Sequence, residues 1–409
     1  MKQLPTTFFP QRLNRRNALV LTVGATALSL AGCGGGADGA GGSLAGVSSG
    51  GTGSFSTGAI TGFGSIIVAG VRFDDSKASS IRDIDSGTDL RGQLKLGMVV
   101  RIKGQPKSMD GFRADADSIE VRSELLGPVE SINAAAATLV VLGQTVKISP
   151  TTTLEDGLAG LAAVSIGNIL ELHGFNDPAS NSLSATRVEK KRIADVKAFK
   201  LQGAIRNLNT QARTFSIGAL SIGYATADLT GLALRDALVV RVQLSPAASG
   251  QSGGARTATS IRASELESRD VAEAKIEGTV TAITSLTQFS VGGVPVNASE
   301  MQAPANLALG VRVEVEGRLV NGVLIARKIE LEDEFDLYKF ELRGTISGLN
   351  TTAKTFVLRG VTVDYNRPVE FKDGLALDLS NLAGRAIKVK GTLAVGGTRV
   401  QATEISIDN

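Results

Sequence analysis

A pattern of roughly 70 residues recurs five times along this chain, and that period limits what it can fold into more than any other feature. The copies open on "GAI" at Gly58, "GPV" at Gly127, "GAI" at Gly203, "GTV" at Gly278 and "GTI" at Gly344. A second apolar strand follows in each. Its first residue stands four before a glycine at Ile66 and Gly70, Leu139 and Gly143, Phe289 and Gly293, Phe356 and Gly360; copy three has Phe215 and Ala219. A glycine there suits a tight turn into the next strand. A third landmark is an alternating stretch such as "VRVEVEG", which reads as a half-buried strand ending at Gly104, Gly174, Gly317 or Gly391. Copy three departs again, running from "VVRVQL" into a Pro/Gly/Ser-rich insertion, Ser245 to Gly254. Each copy closes on Ala-x-x-Ile/Val, as at Ala116 and Ile119 or Ala402 and Ile405.

The order is strand, strand, strand, loop or short helix, strand, strand. This predicts an all-β chain of five tandem five-stranded OB-like Greek-key barrels, each with a short loop or helix insert; a sandwich is the alternative. The repeats are expected at 58–122, 125–190, 199–265, 276–331 and 341–409. Closing each sheet removes edges that would otherwise template aggregation. With 14 Phe, 3 Tyr and no Trp, the cores must be built mainly of Val, Ile and Leu. The links between copies are short and charged, which predicts neighbours held in contact.

Residues 1–32 read as a secretory signal. Lys2, Arg12, Arg15 and Arg16 precede an apolar run from Ala18 to Ala31, too short to span a bilayer. The run ends in "LAGC", Leu30 to Cys33, a bacterial lipobox. Cys33 is the only cysteine, so it has no disulfide partner and is the expected lipidation site. Arg15-Arg16 matches a twin-arginine signal only loosely, and the general secretory route is the expectation. Gly34 after the cysteine points to the outer membrane. Residues 33–57 are Gly/Ser-rich and read as a tether reaching on the order of 25–30 Å. The whole chain has 43 basic and 40 acidic residues, and the leader holds four of the basic ones. The remainder is near neutral, and bulk charge makes no case for nucleic acid.

The stretch "TGFGSIIVAGVRFD", Thr61 to Asp74, behind a Gly/Ser tether and a lipobox, resembles a bacterial lipoprotein family whose repeated domain is uncharacterised. The resemblance spans residues 58–408 and is most specific in the first copy. It implies envelope localisation and tandem β domains, and supplies no catalytic residues. In strand order the modules also resemble periplasmic OB-like barrels of haem-chaperone type. That family's haem-attaching histidine is missing, so its activity does not carry over.

No copy carries a catalytic constellation, and no catalytic, cofactor-binding or metal residue is assigned; the chain reads as a non-enzyme. His173 is the only histidine. It stands where other copies have Lys103, Glu316 and Lys390, which predicts a solvent-facing side chain. "DIDSGTD", Asp83 to Asp89, hints at calcium, but an EF-hand loop from Asp83 would need an acid where Leu94 stands, so a polar surface loop is expected. "GFGSII" from Gly62 lacks the third glycine and the following helix of a dinucleotide site. The basic cluster Lys190, Lys191, Arg192, Lys197 and Lys200 and the acidic run Glu330, Glu332, Asp333, Glu334 and Asp336 occupy equivalent linkers, and read as solvated spacers or contacts between modules. The expectation is a lipid-anchored envelope scaffold. Its partners would be the membrane through its lipid and an envelope protein or polysaccharide. The alternative is OB-type recognition of a polymer on strands 2 and 3, although Phe215, Phe289 and Phe356 fall in register with Ile66 and Leu139 and so belong to the core.

Overall fold

The computed structural model describes residues 54–408 apart from 108–112, 156–157, 159, 178–181, 247–255, 265–269, 333–338, 375–378, 380–384 and 395. The signal segment, Cys33 and most of the tether lie outside the described residues. Barrel 1 comprises β1 (Ser54–Phe63), β2 (Ile66–Val68), β3 (Val71–Asp74), β4 (Ser80–Asp83), β5 (Val99–Pro106) and β6 (Arg113–Val121). Barrel 2 comprises β7 (Leu125–Asn133), β8 (Thr138–Val141), β9 (Gln144–Lys147), β10 (Thr153–Leu154), β11 (Ile169–Asp177) and β12 (Ser182–Lys191). Barrel 3 holds β13 (Phe199–Ala204), β14 (Arg206–Asn209), β15 (Thr214–Ile217), β16 (Leu220–Gly223), β17 (Val239–Leu244) and β18 (Arg256–Ala263). Barrel 4 holds β19 (Val271–Ser285), β20 (Gln288–Val291), β21 (Val294–Asn297), β22 (Arg312–Val320) and β23 (Val323–Leu331). Barrel 5 holds β24 (Phe340–Thr345), β25 (Ser347–Asn350), β26 (Thr355–Leu358), β27 (Val361–Asp364), β28 (Glu370–Phe371), β29 (Ala386–Leu393) and β30 (Val400–Ile407).

In barrel 1 the ladder runs β1–β2–β3, crosses in parallel to β6, returns antiparallel through β5 and closes on β1. The same circuit recurs in the other four, with parallel closures β9–β12, β16–β18, β21–β23 and β27–β30. That is the connectivity of an OB-type barrel. Alternation decides the faces: Val313 and Val315 of β22 are fully buried, while Arg312, Glu314 and Glu316 lie on the other face and keep only part of their surface exposed. Phe215, Phe289 and Phe356 are buried, as their register required.

The turn after the second strand has two left-handed residues in four barrels: Ala69-Gly70, Leu142-Gly143, Gly292-Gly293 and Arg359-Gly360. Two positive φ angles mark the tight hairpin turn that glycine favours. The glycines expected to end the alternating strand instead lie inside it. Each sits at a register shift opposite the last strand, between Lys103 and Gly104, His173 and Gly174, Glu316 and Gly317, and Lys390 and Gly391. A Cβ on Gly104 would lie 2.0 Å from the Asp115 carbonyl oxygen. The glycine marks a β-bulge that bends the sheet closed, not a stop.

Two expectations need correction. The insert contains no α-helix among the described residues. It holds a short strand, β4, β10 or β28, parallel to the last strand of its barrel, and barrel 2 adds one 3-10 turn, Leu161–Ala163. Isolated apolar anchors such as Leu158, set among Gly157, Gly160 and Gly167, cover the barrel end without the run needed to nucleate a helix. The tether also ends early, because Ser54 to Thr57 are strand, paired with both β5 and β19.

The barrels are not a string of beads. β1 runs parallel to β19 of barrel 4 and, at its far end, to β24 of barrel 5. β7 and β13 join barrels 2 and 3. One apolar core spans barrels 1 and 5 and a second spans 2 and 3; the third fills barrel 4 and takes in Phe55 of β1.

Candidate functional site

The chemistry-bearing side chains converge where barrels 1, 2 and 3 meet. On β11 and β12, Leu170, Leu172 and Val188 point into barrel 2, so Glu171, His173, Arg187 and Glu189 form the opposite face. Barrel 1 covers that face with the segment Leu96 to Val99. Thr153 Oγ1 and Arg187 Nη1 donate to the Leu96 carbonyl at 3.0 and 3.2 Å, and Thr186 Oγ1 donates to the Gly97 carbonyl at 2.6 Å. Gly97 has φ +78°, and a Cβ there would meet Thr153 and Thr186 within 2.4 Å. Only glycine allows this approach.

His173 is 1% exposed, which overturns the solvent-facing expectation. It does lie on the outer face of its own barrel, as alternation demands, but barrel 1 buries it. Its Nδ1 is 3.3 Å from the Val99 N–H and 3.0 Å from the Arg122 carbonyl oxygen. Burial pushes the imidazole pKa down against the pull of Glu171 and Glu189 and so favours the neutral ring. Glu171 and Glu189 stand opposite each other, and Lys191 bridges them at 2.8 and 2.6 Å. Burial would raise Glu189, but Arg187 and Lys191 outweigh it and hold the carboxylate down to about 2.

The "DIDSGTD" loop is at the surface from Ser86 to Asp89, as expected, but its first acids turn inward. Asp83 Oδ1 accepts from the N–H groups of Asp85 and Ser86 at 3.1 and 2.7 Å, an Asx turn that aims Asp85 at barrel 3. Arg241 donates to both Asp85 oxygens at 2.9 and 2.6 Å, and Lys200 donates to Asp83 at 2.7 Å. The side chains of Asp85 and Arg241 are each 9% exposed. Burial opposes ionisation of both aspartates, yet their cations win and both pKa values fall. Those cations occupy the oxygens a calcium ion would need, and no cluster of metal-ligating side chains occurs among the described residues.

The link Arg122-Ser123-Glu124 is buried at the centre. Arg122 donates to Gln202 and Ser264 at 3.2 and 3.3 Å, and Arg241 to the Ser123 carbonyl at 2.8 Å. Burial, with Arg101 and Arg241 nearby, lowers the Arg122 pKa; burial raises that of Glu124. Beside this joint lies a cavity of about 960 Å³ reached by barrels 1, 2, 3 and 5.

The structure disperses the other residues singled out in the sequence. Of the basic cluster, Lys191 and Lys200 are held in ion pairs, Arg192 pairs with Asp195 at the surface, and Lys190 and Lys197 are exposed. Glu330 pairs with Lys328 at 2.9 Å, while Asp333, Glu334 and Asp336 lie outside the described residues. Gly62 and Gly64 belong to the β1–β2 hairpin, against Glu341 and Arg343 of barrel 5. Asp85, Arg122, Glu124, Arg187, Glu189 and Arg241 had no signal beyond charge, because what makes them special is burial by a different copy.

Three stretches of the chain, residues 127–189, 277–330 and 343–406, match a family described as a domain of unknown function (DUF5666). The chain carries tandem copies of an uncharacterised domain. The matches fall on barrels 2, 4 and 5. Barrels 1 and 3 close by the same strand circuit outside the matched regions, although the first copy had looked the most specific. No curated protein matches the chain. Among solved structures it is similar to one titled "drosophila Unr CSD456", at 15% identity over 52% of this chain and 99% of that one, with a TM-score of 0.14.

Proposed function

We propose that this is a non-enzymatic, lipid-anchored protein of the cell envelope, a binding scaffold held to the outer membrane through Cys33. The observation that carries the reading is the use made of its polar and aromatic groups. Ion pairs and hydrogen bonds between barrels take up Asp83, Asp85, Lys200 and Arg241. Among the described residues every phenylalanine and tyrosine is buried or half-buried. Single-strand and glycan-binding faces of OB type stack their ligands on exposed aromatics. The outer faces of the second and third strands carry instead such residues as Thr214, Ser216, Ser290 and Asn297. This favours a joined body that presents its surface to a protein partner over polymer recognition on that face.

In-cell crosslinking of the native lipoprotein, followed by mass spectrometry, tests it. A specific protein partner is expected, and it is lost in Cys33→Ser. Glycan or lipid adducts alone, or the same partner in the variant, would sink the anchored-scaffold reading.

A further inference from the structure

The last strands of the five barrels carry equivalent apolar residues: Ile119, Val188, Ile261, Ile329 and Ile405. In four barrels the insert straps that strand there. β4 pairs Ile81 with Ile119, and β28 pairs Phe371 with Ile405. Glu155 donates its N–H to the Val188 carbonyl, and Ile261 donates its N–H to the Asp228 carbonyl. Barrel 4 has no strap. Its insert covers only 298–311, against 75–98 in barrel 1 and 365–385 in barrel 5, and none of its backbone bonds reaches β23 beyond Ile325. Among the described residues, β22 is the one strand paired with β23 from Lys328 to Leu331. The other side of β23 is an open edge, a template for a further strand.

The side chains register the missing cover. Ile329 is 8% exposed, where its four counterparts are at most 1%. The Glu330 side chain is 52% exposed, where the equivalent Glu120 keeps 16%. Ile283 is exposed too, while Ile132, Leu208 and Leu349, equally far from their opening glycines, pack on their cores.

The strapped copies show what fits such an edge. In barrel 1, Ile81 turns inward beside Ile119, and Arg82 turns outward onto Glu120 at 3.5 Å. In barrel 5, Lys372 lies on Glu404 at 2.9 Å. On the outer face of barrel 4, three carboxylates, Glu314, Glu316 and Glu330, share Lys275 and Lys328, which leaves that face acidic. A strand added there has apolar residues on one side and basic residues on the other.

We propose that β23 takes up an extended segment of a protein partner as a parallel strand along 327–330. Its apolar residues cover Ile329, and its lysines or arginines meet Glu330 and the carboxylates beside it. This rests on the scaffold reading and gives the partner a chemistry.

The probe is a short labelled peptide that alternates isoleucine with lysine; its isoleucine–glutamate counterpart is the control. Both are titrated by fluorescence anisotropy into the full chain, purified in detergent. Hydrogen exchange is read at the Ile329 amide, the counterpart of the Ile261 N–H. The lysine peptide is expected to bind saturably, with the glutamate peptide about tenfold weaker. The Ile329 amide is expected to exchange fast in the free chain and about tenfold more slowly when the peptide is bound. Glu330→Lys, at an exposed site, is expected to weaken the lysine peptide and strengthen the glutamate one. No saturable binding, equal affinity for both peptides, or binding that leaves Ile329 exchange unchanged overturns the proposal. Slow Ile329 exchange in the peptide-free chain shows the edge already paired and overturns it as well. The assay needs no partner from the cell, so its failure and that of the crosslinking are read separately. A Cys33-dependent partner without peptide binding keeps the scaffold and sinks the strand docking.

Discussion

Barrel 1 is joined to its neighbours in two different ways. Toward barrels 4 and 5 it uses backbone: β1 adds to β19 over Ser54 to Thr57 and to β24 at Gly62 and Phe63. Toward barrels 2 and 3 it uses side chains, with buried charges that pair Asp83 with Lys200 and Asp85 with Arg241. Backbone ladders tolerate most side chains that fit the pleat. A buried ion pair depends on both partners, because removing one strands the other in a medium that solvates it poorly. The two joints should therefore answer mutation in opposite ways.

The sharpest break is Asp85→Ala. It leaves Arg241 buried on neutral oxygens of Gln202 and Ser123, with Glu124, 4.0 Å away, as its remaining ion-pair partner. Denaturant unfolding should show a loss of about 3–5 kcal/mol. A loss under about 1 kcal/mol would mean that Glu124 replaces the lost partner, and the contrast between joints would weaken. On the backbone side only a residue in the contact itself should matter. A Cβ on Gly62 would lie 2.3 Å from the Glu341 carbonyl oxygen. Gly62→Ala should lower stability by about 1–3 kcal/mol through overpacking.

A third test concerns pH. Glu314 stands between Glu277 and Glu330 on neighbouring strands. Burial, against the pull of Lys275, pushes its carboxyl up to about 7. The folded chain then holds a proton that the unfolded chain has released, so stability falls as pH rises from about 4.5 to 7. Glu314→Gln should flatten that fall and stabilise the protein at pH 8 by about 1–3 kcal/mol, as read from melts across pH. If the wild-type profile is already flat there, the carboxyl is not raised. Ser56→Ala, within the β1–β19 ladder, should change stability by no more than about 0.5 kcal/mol, since its Oγ has no partner. Arg192→Ala removes an exposed pair with Asp195, and its Tm should match that of the unchanged protein.

Much of each barrel was legible. Period two placed Val313 and Val315 inside, and the spacing from Phe289 to Gly293 located a hairpin turn. Local rules govern both, since strand alternation and left-handed turns act over a few residues. The bulge glycines were visible but misread as strand ends, because a bulge and a stop both exclude a Cβ. The candidate site was scarcely legible. His173 obeyed the alternation and pointed out of barrel 2, and the error lay in equating outside with solvent.

The sequence by itself determined the unit: five copies, five main strands each, apolar in and polar out, with the turns between them. Those features rest on contacts within about 70 residues, and each copy repeats them. Only the tertiary structure decided which copy lies against which, and so which charges are buried. Asp85 finds Arg241 156 positions away, and Ser54 pairs with Glu273 across two intervening copies. Such contacts carry no periodicity of their own. Their strength comes from the water excluded when two finished barrels meet, and that appears only once both are built.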